Sequence, residues 1–223
     1  MKISDLKKDF EKFTLHIESL SIPDGKVCGI IGSNGCGKTT AMKLMAGIIE
    51  PDSGNIDRGG LSPLEITMVF RKPYLLHDTV LRNLIYPLKI RKVRPDKEQI
   101  DYYLEMAGLQ NIRDQYAPGL SGGEQQKLSL IRAFILSPKL IFVDEAFSNM
   151  DIESVARFEE HILNMQKTKP ITWVIVSHQL SNIKRLCEYV FFMHEGRIKV
   201  SGSPDDILPS PEDDDLKRYL QYI

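Results

Sequence analysis

The stretch Gly32-Ser33-Asn34-Gly35-Cys36-Gly37-Lys38-Thr39 sets three glycines, a lysine and a hydroxyl at a spacing suited to one task. It fits G-x-x-x-x-G-K-[ST], a loop that cradles phosphates. Glycines let the backbone turn so that several N–H groups aim at one point. The helix that follows adds the positive end of its dipole there. Lys38 brings a mobile cation to the outer phosphates, and the Thr39 hydroxyl, with Thr40 behind it, can ligate Mg²⁺. A plain glycine turn is the bland alternative, and the flanks weigh against it: Val27–Ile31 has the pattern of a buried strand and Thr39–Ala46 that of a helix. Cys36 is either a small residue filling the loop or a thiol activated by the helix terminus. The expected ligand is a nucleoside triphosphate.

A second glycine-led helix start follows in LSGGEQQKLSLIRAF, Leu120–Phe134. Ser121 and Glu124 make a capping box. Gly122 and Gly123 each cost a helix ~1 kcal/mol against Ala, and they leave N–H groups bare for an anion. The bland alternative is a turn at Pro118-Gly119 and a core helix through Leu128, Ile131 and Ile135. Next comes LIFVDEAFSNMD, in which Asp144 and Glu145 end a buried-type strand. Ligand sites of open parallel sheets lie at that edge, and adjacent carboxylates there are costly unless a cation or a proton transfer uses them. Two solvated loop acids are the weaker alternative. Asp151 precedes a helical pattern and suits an N-cap, and His178 follows the strand pattern Thr172–Ser177. His194 falls in a hairpin turn, and His16, His77 and His161 have no partner motif.

The elements that must position these groups follow from patterning. Val27–Ile31, Ile66–Phe70, Leu140–Asp144, Thr172–Ser177 and Tyr189–Met193 are short continuous apolar runs, suited to strands covered on both faces. Helical patterns over Thr39–Ala46, Lys97–Ala107, Glu124–Leu136, Ile152–Gln166 and Leu180–Leu186 alternate with some of them, predicting an α/β fold with a largely parallel sheet. From about Arg71 to Ser137 the pattern is helical without a strand, and Met1–Gly25 alternates like antiparallel strands. At 223 residues and 42% hydrophobic composition the chain can bury one good core. A net charge of −1 supplies no basic field for nucleic acid or acidic membranes. Three scattered cysteines predict reduced thiols in a cytosolic protein. The charged N-terminus does not suit a signal peptide, and no apolar run approaches the ~20 residues of a membrane helix. A soluble chain is expected, with any membrane role exercised through a partner.

LSGGE between a phosphate loop and a later strand-end Asp-Glu resembles the signature motif of the ABC-type ATPases, the nucleotide-binding subunits of ABC transporters. The resemblance runs from Met1 to about Gly202. It implies a P-loop NTPase (RecA-like) core over 1–70 and 138–223, with N-terminal antiparallel strands and an inserted helical subdomain over 71–137. It implies ATP and Mg²⁺ as cofactors and a head-to-tail dimer in which the loop of one copy and Ser121, Gly122 and Gly123 of the other enclose each ATP. By the same resemblance Asp144 holds Mg²⁺ with Thr39, Glu145 is the general base, His178 contacts the γ-phosphate, and Asp151 crosses the dimer interface. Phe10, or alternatively Phe13, would stack on adenine. Two positions depart from the family pattern: Ala146 replaces the usual Pro, and Arg71 replaces a Gln that senses Mg²⁺ and water. Arginine cannot ligate a metal. It would pair with a phosphate or with Glu145, slowing hydrolysis, or swing into solvent. Lys72–Leu88 resembles the segment that grips a membrane subunit, and the tail PSPEDDDLKRYLQYI suggests a solvated acidic stretch and a short helix. The implied function is ATP-driven transport, and the stretch VFRKPYLLHDTVLRNLIYPLKIR resembles the tungstate/molybdate-type oxyanion importers. The implied partners are membrane permease subunits and an extracytoplasmic solute-binding protein, with the chain on the inner face of the cell membrane and no nucleic acid bound. A soluble ATPase in a non-transport role, and an ATP-dependent clamp made slow by Arg71, are the alternatives.

Overall fold

Every residue of Val27–Ile31, Leu140–Asp144 and Thr172–Val176 is buried, as continuous apolar runs demand when both faces of a sheet are covered. The computed structural model describes residues 1–222. Its strands are β1 (Lys2–Phe10), β2 (Phe13–Ser21), β3 (Val27–Ile31), β4 (Ser53–Asp57), β5 (Ile66–Val69), β6 (Leu140–Asp144), β7 (Thr172–Val176), β8 (Tyr189–His194) and β9 (Arg197–Gly202). The helices are α1 (Lys38–Met45), α2 (Val80–Ile90), α3 (Lys97–Met106), α4 (Gly122–Phe134), α5 (Ile152–Thr168), α6 (Leu180–Leu186), α7 (Pro204–Ile207) and α8 (Asp214–Gln221).

Six strands form one sheet in the order β5-β6-β7-β3-β8-β9, parallel except for the hairpin return of β9. A second, antiparallel sheet has the order β2-β1-β4. The period of two along each buried strand divides its side chains between two cores. Ile141, Val143, Trp173 and Ile175 join Phe134, Phe158 and Ile183 on the side of α4, α5 and α6. Leu140, Phe142, Val174 and Val176 join Leu15, Ala41 and Leu44 under the antiparallel sheet and α1. Because β3, β5, β6 and β7 run parallel, they end on one edge, which receives Gly32, Arg71, Asp144 and His178.

Between β5 and β6 the chain forms α2, α3 and α4 with an isolated bridge between Thr79 and Tyr116. Asn83, with no exposed surface, ties down the turn before α2. Its Nδ2 donates to the carbonyls of Leu76 (3.1 Å) and Thr79 (3.0 Å), and its Oδ1 accepts from the Leu76 amide (2.8 Å). Asn83→Ala leaves these groups unpaired, and we expect a loss of about 2 kcal/mol in chemical denaturation. A loss under about 0.5 kcal/mol would mean that water replaces the side chain.

Two features go beyond the sequence expectation. The strand β4 has the polar sequence SGNID and little burial, so it carries no apolar signal. It forms because the edge of β1 offers unpaired backbone groups to it, with Ile3 opposite Ile56. The tail forms the expected short helix after a largely exposed acidic stretch, and the helix is also anchored in the core. Asp213 caps α8, and Leu216 and Tyr219 bury one face of that helix in the core.

Candidate active site

The loop from Gly32 carries the chain from β3 into α1. Gly37 has φ 109°, a region costly for residues with a Cβ, and a Cβ there would stand 2.8 Å from the Phe13 ring. No side chain caps α1, so its first N–H groups await an acceptor from outside. Lys38 is buried, and its Nζ donates to the carbonyls of Gly32 (2.7 Å) and Ser33 (2.9 Å). Ser33, Asn34 and Gly35 are exposed at the crest of the loop, and Thr40 lies half-buried at its far end. Burial pushes the Cys36 thiol up from its ordinary value, with Lys38 opposing. Desolvation therefore outweighs the activation that a helix terminus gives a thiol.

The carboxylates arrive from β6. The Thr39 hydroxyl donates to Asp144 Oδ2 at 2.8 Å, while Asp144 Oδ1 is buried without a partner. Burial pushes the Asp144 carboxyl up, and the Thr39 hydroxyl opposes the shift. A spare buried carboxylate oxygen of this kind is expensive until a cation or donor uses it. Glu145 sits at φ 50°, an uncommon region for a residue with a side chain, and its amide is held by the Val176 carbonyl at 3.0 Å. Only 8% of Glu145 is exposed. Its Oε1 lies 2.7 Å from Nε2 of His178, and its Oε2 lies 3.1 Å from Nε of Arg71. Neither contact has hydrogen-bond alignment, because Glu145 Oε2 and His178 Nε2 both remain unpartnered.

Of these groups Arg71 and Glu145 border a cleft of about 370 Å³, lined also by the loop, Lys38, Thr39 and Thr40, with Phe10 and Phe13 on the wall; Asp144 lies beneath Thr39, outside the lining. The two rings are 6.3 Å apart and tilted by 30°, so both aromatics are placed to meet a flat ligand. His178 borders a smaller cavity of about 120 Å³ behind Glu145. Ser121, Gly122 and Gly123 do not line the cleft. They start α4, where the Glu124 amide donates to Ser121 Oγ (3.3 Å) and the Ser121 amide to Glu124 Oε2 (2.9 Å). Asp151 caps α5 by accepting from the Ser154 amide (2.8 Å) and pairs with Lys127 of α4 (3.0 Å). The start of α4 and the start of α5 thus form one patch, separate from the cleft. Gln126, passed over in the sequence, is buried in α4 and donates to the Phe70 carbonyl at 3.2 Å. A glutamine inside an amphipathic helix gives no sign that it will anchor the residue preceding Arg71.

Residues 15–148 match the family model described as ABC transporter. The chain belongs to that family. It is similar to the tungstate uptake system ATP-binding protein TupC of Peptoclostridium acidaminophilum, 35% identical over 205 residues, covering 88% of this chain and 95% of that protein. The molybdate/tungstate import ATP-binding protein WtpC of Pyrococcus horikoshii is 30% identical over 233 residues, covering 100% and 67%. Among solved structures, the dimeric post-hydrolysis state of the ATP-binding cassette MJ0796, bound to ADP and Pi, superposes with a TM-score of 0.79 at 22% identity, covering 91% of this chain and 98% of that one. The fold anticipated from the motifs, with a mainly parallel sheet, an antiparallel N-terminal sheet and a helical insertion, is that of the ABC ATPases. This ABC ATPase is the ATP-binding subunit of a transporter.

Proposed function

We propose that this ABC ATPase binds Mg-ATP in the cleft and hydrolyses it when a second copy closes over the nucleotide, driving uptake of a tungstate-like oxyanion through separate membrane subunits. The observation that carries the reading is the separation of two anion-seeking helix starts on one chain. The cleft at α1 and the patch at α4 are different places, so a head-to-tail pair would bring one of each to every triphosphate. The dimer of MJ0796 with ADP and Pi is consistent with this arrangement.

In this reading the loop amides from Ser33 to Thr40 hold the phosphates, and Lys38 shifts from the Gly32 and Ser33 carbonyls toward them. Phe10 or Phe13 stacks on adenine, worth ~1 kcal/mol. The Thr39 hydroxyl and the spare Asp144 oxygen are hard donors that suit Mg²⁺. Bound there, the ion would neutralise phosphate charge. Glu145 accepts the proton of the attacking water, and His178, 2.7 Å from its carboxylate, orients the water and the γ-phosphate. Ser121, Gly122 and Gly123 of the partner copy approach the same phosphate, with Asp151 beside them at the interface.

No helix of the described residues is long and apolar enough to cross a membrane, and in this reading separate membrane subunits carry the solute. The exposed Tyr74, Ile90 and Val93 offer apolar surface for docking on such subunits at the inner face of the membrane. An extracytoplasmic binding protein would supply the solute. Phosphate release by the complex reconstituted with permease and binding protein should rise when tungstate or molybdate is added. No response to either oxyanion would overturn the solute assignment, and co-purification with ribosomes or DNA in place of a permease would favour the non-transport alternative.

A slow clamp is the second reading, and the Arg71–Glu145 contact favours it. A guanidinium at 3.1 Å competes with water for the general base. Arg71→Gln should raise phosphate release in the assembled transporter by about 10-fold. Equal or lower activity would show that Arg71 does not restrain Glu145.

A further inference from the structure

The C-terminal helix α8 lies beyond the residues matched by the family model, yet it reaches the back of the phosphate loop. Its approach is fixed in three ways. Asp213 caps it by accepting from the Leu216 amide at 2.9 Å. Asp215 stands 3.6 Å from Lys199 and 3.8 Å from His194, both on the β8–β9 hairpin. Leu216 and Tyr219 are buried, and the Tyr219 ring packs 5.5 Å from that of Phe192 on β8. The ring is thereby set beneath the loop, and its hydroxyl is buried without an aligned hydrogen-bond partner. Phe192 pairs in the sheet with Ile31, the residue before Gly32, so the hydroxyl lies toward the Gly32 amide.

The other side of Gly32 is equally confined. It has φ 148°, and a Cβ there would stand 2.1 Å from the Met193 carbonyl and 2.9 Å from Cys36 Sγ. Its own carbonyl accepts from Lys38 at 2.7 Å. The Gly196 amide of the hairpin donates to the Cys36 carbonyl at 2.9 Å. The loop is therefore gripped from behind by β8, the hairpin and α8. A loop that binds phosphate through backbone N–H groups loses affinity when those groups must first be ordered.

We propose that Tyr219 is a positioning residue for nucleotide binding: its phenol hydroxyl, delivered by α8, braces the phosphate loop from behind at Gly32. The hydroxyl is placed to accept from the Gly32 amide, a partner the buried phenol otherwise lacks, and so to hold the loop in the shape that receives the triphosphate. The proposal rests on the assignment of the cleft as the Mg-ATP site.

Titration calorimetry of the full-length chain with Mg-ATP tests both ideas separately. Tyr219→Phe removes one oxygen and keeps the ring, so the melting temperature should stay within about 2 °C of wild type while Mg-ATP binds roughly five-fold more weakly. Asn83→Ala, in the turn before α2 and outside the cleft, should lower the melting temperature more and leave affinity as in wild type. Tyr219→Phe binding as tightly as wild type would overturn the brace alone. Asn83→Ala losing affinity as much as Tyr219→Phe would also overturn it, because a general loss of stability would then explain the effect. A wild-type chain that does not bind Mg-ATP would sink the cleft assignment and the brace together.

Discussion

Glu145→Gln is expected to slow phosphate release in the assembled transporter by about 10²- to 10⁴-fold, with Mg-ATP still bound and the two copies held closed around it. The substitution keeps the shape and burial of the side chain. It also keeps the backbone at φ 50°, held by the Val176 carbonyl. What it removes is the capacity to take a proton, together with the charge facing Arg71 and His178. Arg71 is two-thirds exposed, so its charge is readily solvated once released. A rate within about three-fold of wild type would exclude Glu145 as the base. Single-turnover phosphate release and the size of the Mg-ATP complex by light scattering provide the two readouts.

Gly122→Asp should separate the fate of the chain from the fate of the assembly. A Cβ on Gly122 meets nothing within 4 Å. The position opens α4 immediately after its Ser121 cap, where a carboxylate favours the helix by about 0.3–1 kcal/mol. The melting temperature should therefore hold or rise slightly, and single copies should bind Mg-ATP as wild type does, because Gly122 lies outside the cleft. In the closed dimer the new carboxylate would face the γ-phosphate held by the other copy. Hydrolysis should then fall at least about 100-fold, because the added carboxylate repels the phosphate and covers the backbone N–H groups at the start of the helix. The neighbouring Gly123→Asp behaves differently, since its Cβ would lie 2.9 Å from the Asn149 carbonyl and must disturb the single chain too. Near-normal hydrolysis by the Gly122→Asp transporter would refute the shared site.

Much of the site was visible in the sequence because its parts are local. The glycine spacing before Lys38, the capping box at Ser121, and the acidic pair at the end of an apolar run each announce a turn, a helix start or a strand end. The strands β3, β6 and β7 were visible for the same reason, being continuous and apolar. What escaped was non-local. Ser53–Asp57 becomes a strand only because β1 has an edge to offer. Gln126 matters only because α4 passes the end of β5. Tyr219 lies in a tail whose acidic composition suggests solvent, yet the β8–β9 hairpin draws it under the phosphate loop.

By itself, then, the sequence determined which groups were available for chemistry and which strand ends would carry them, because residue type and period act over a few positions at a time. Tertiary structure alone decided which of those groups meet. The order of the parallel strands sets Arg71 against Glu145 and Asp144 against Thr39. It leaves Ser121–Gly123 on a separate patch with Asn149 and Asp151. These encounters depend on how strands far apart in the chain line up and how helices close over them, and no local pattern encodes that.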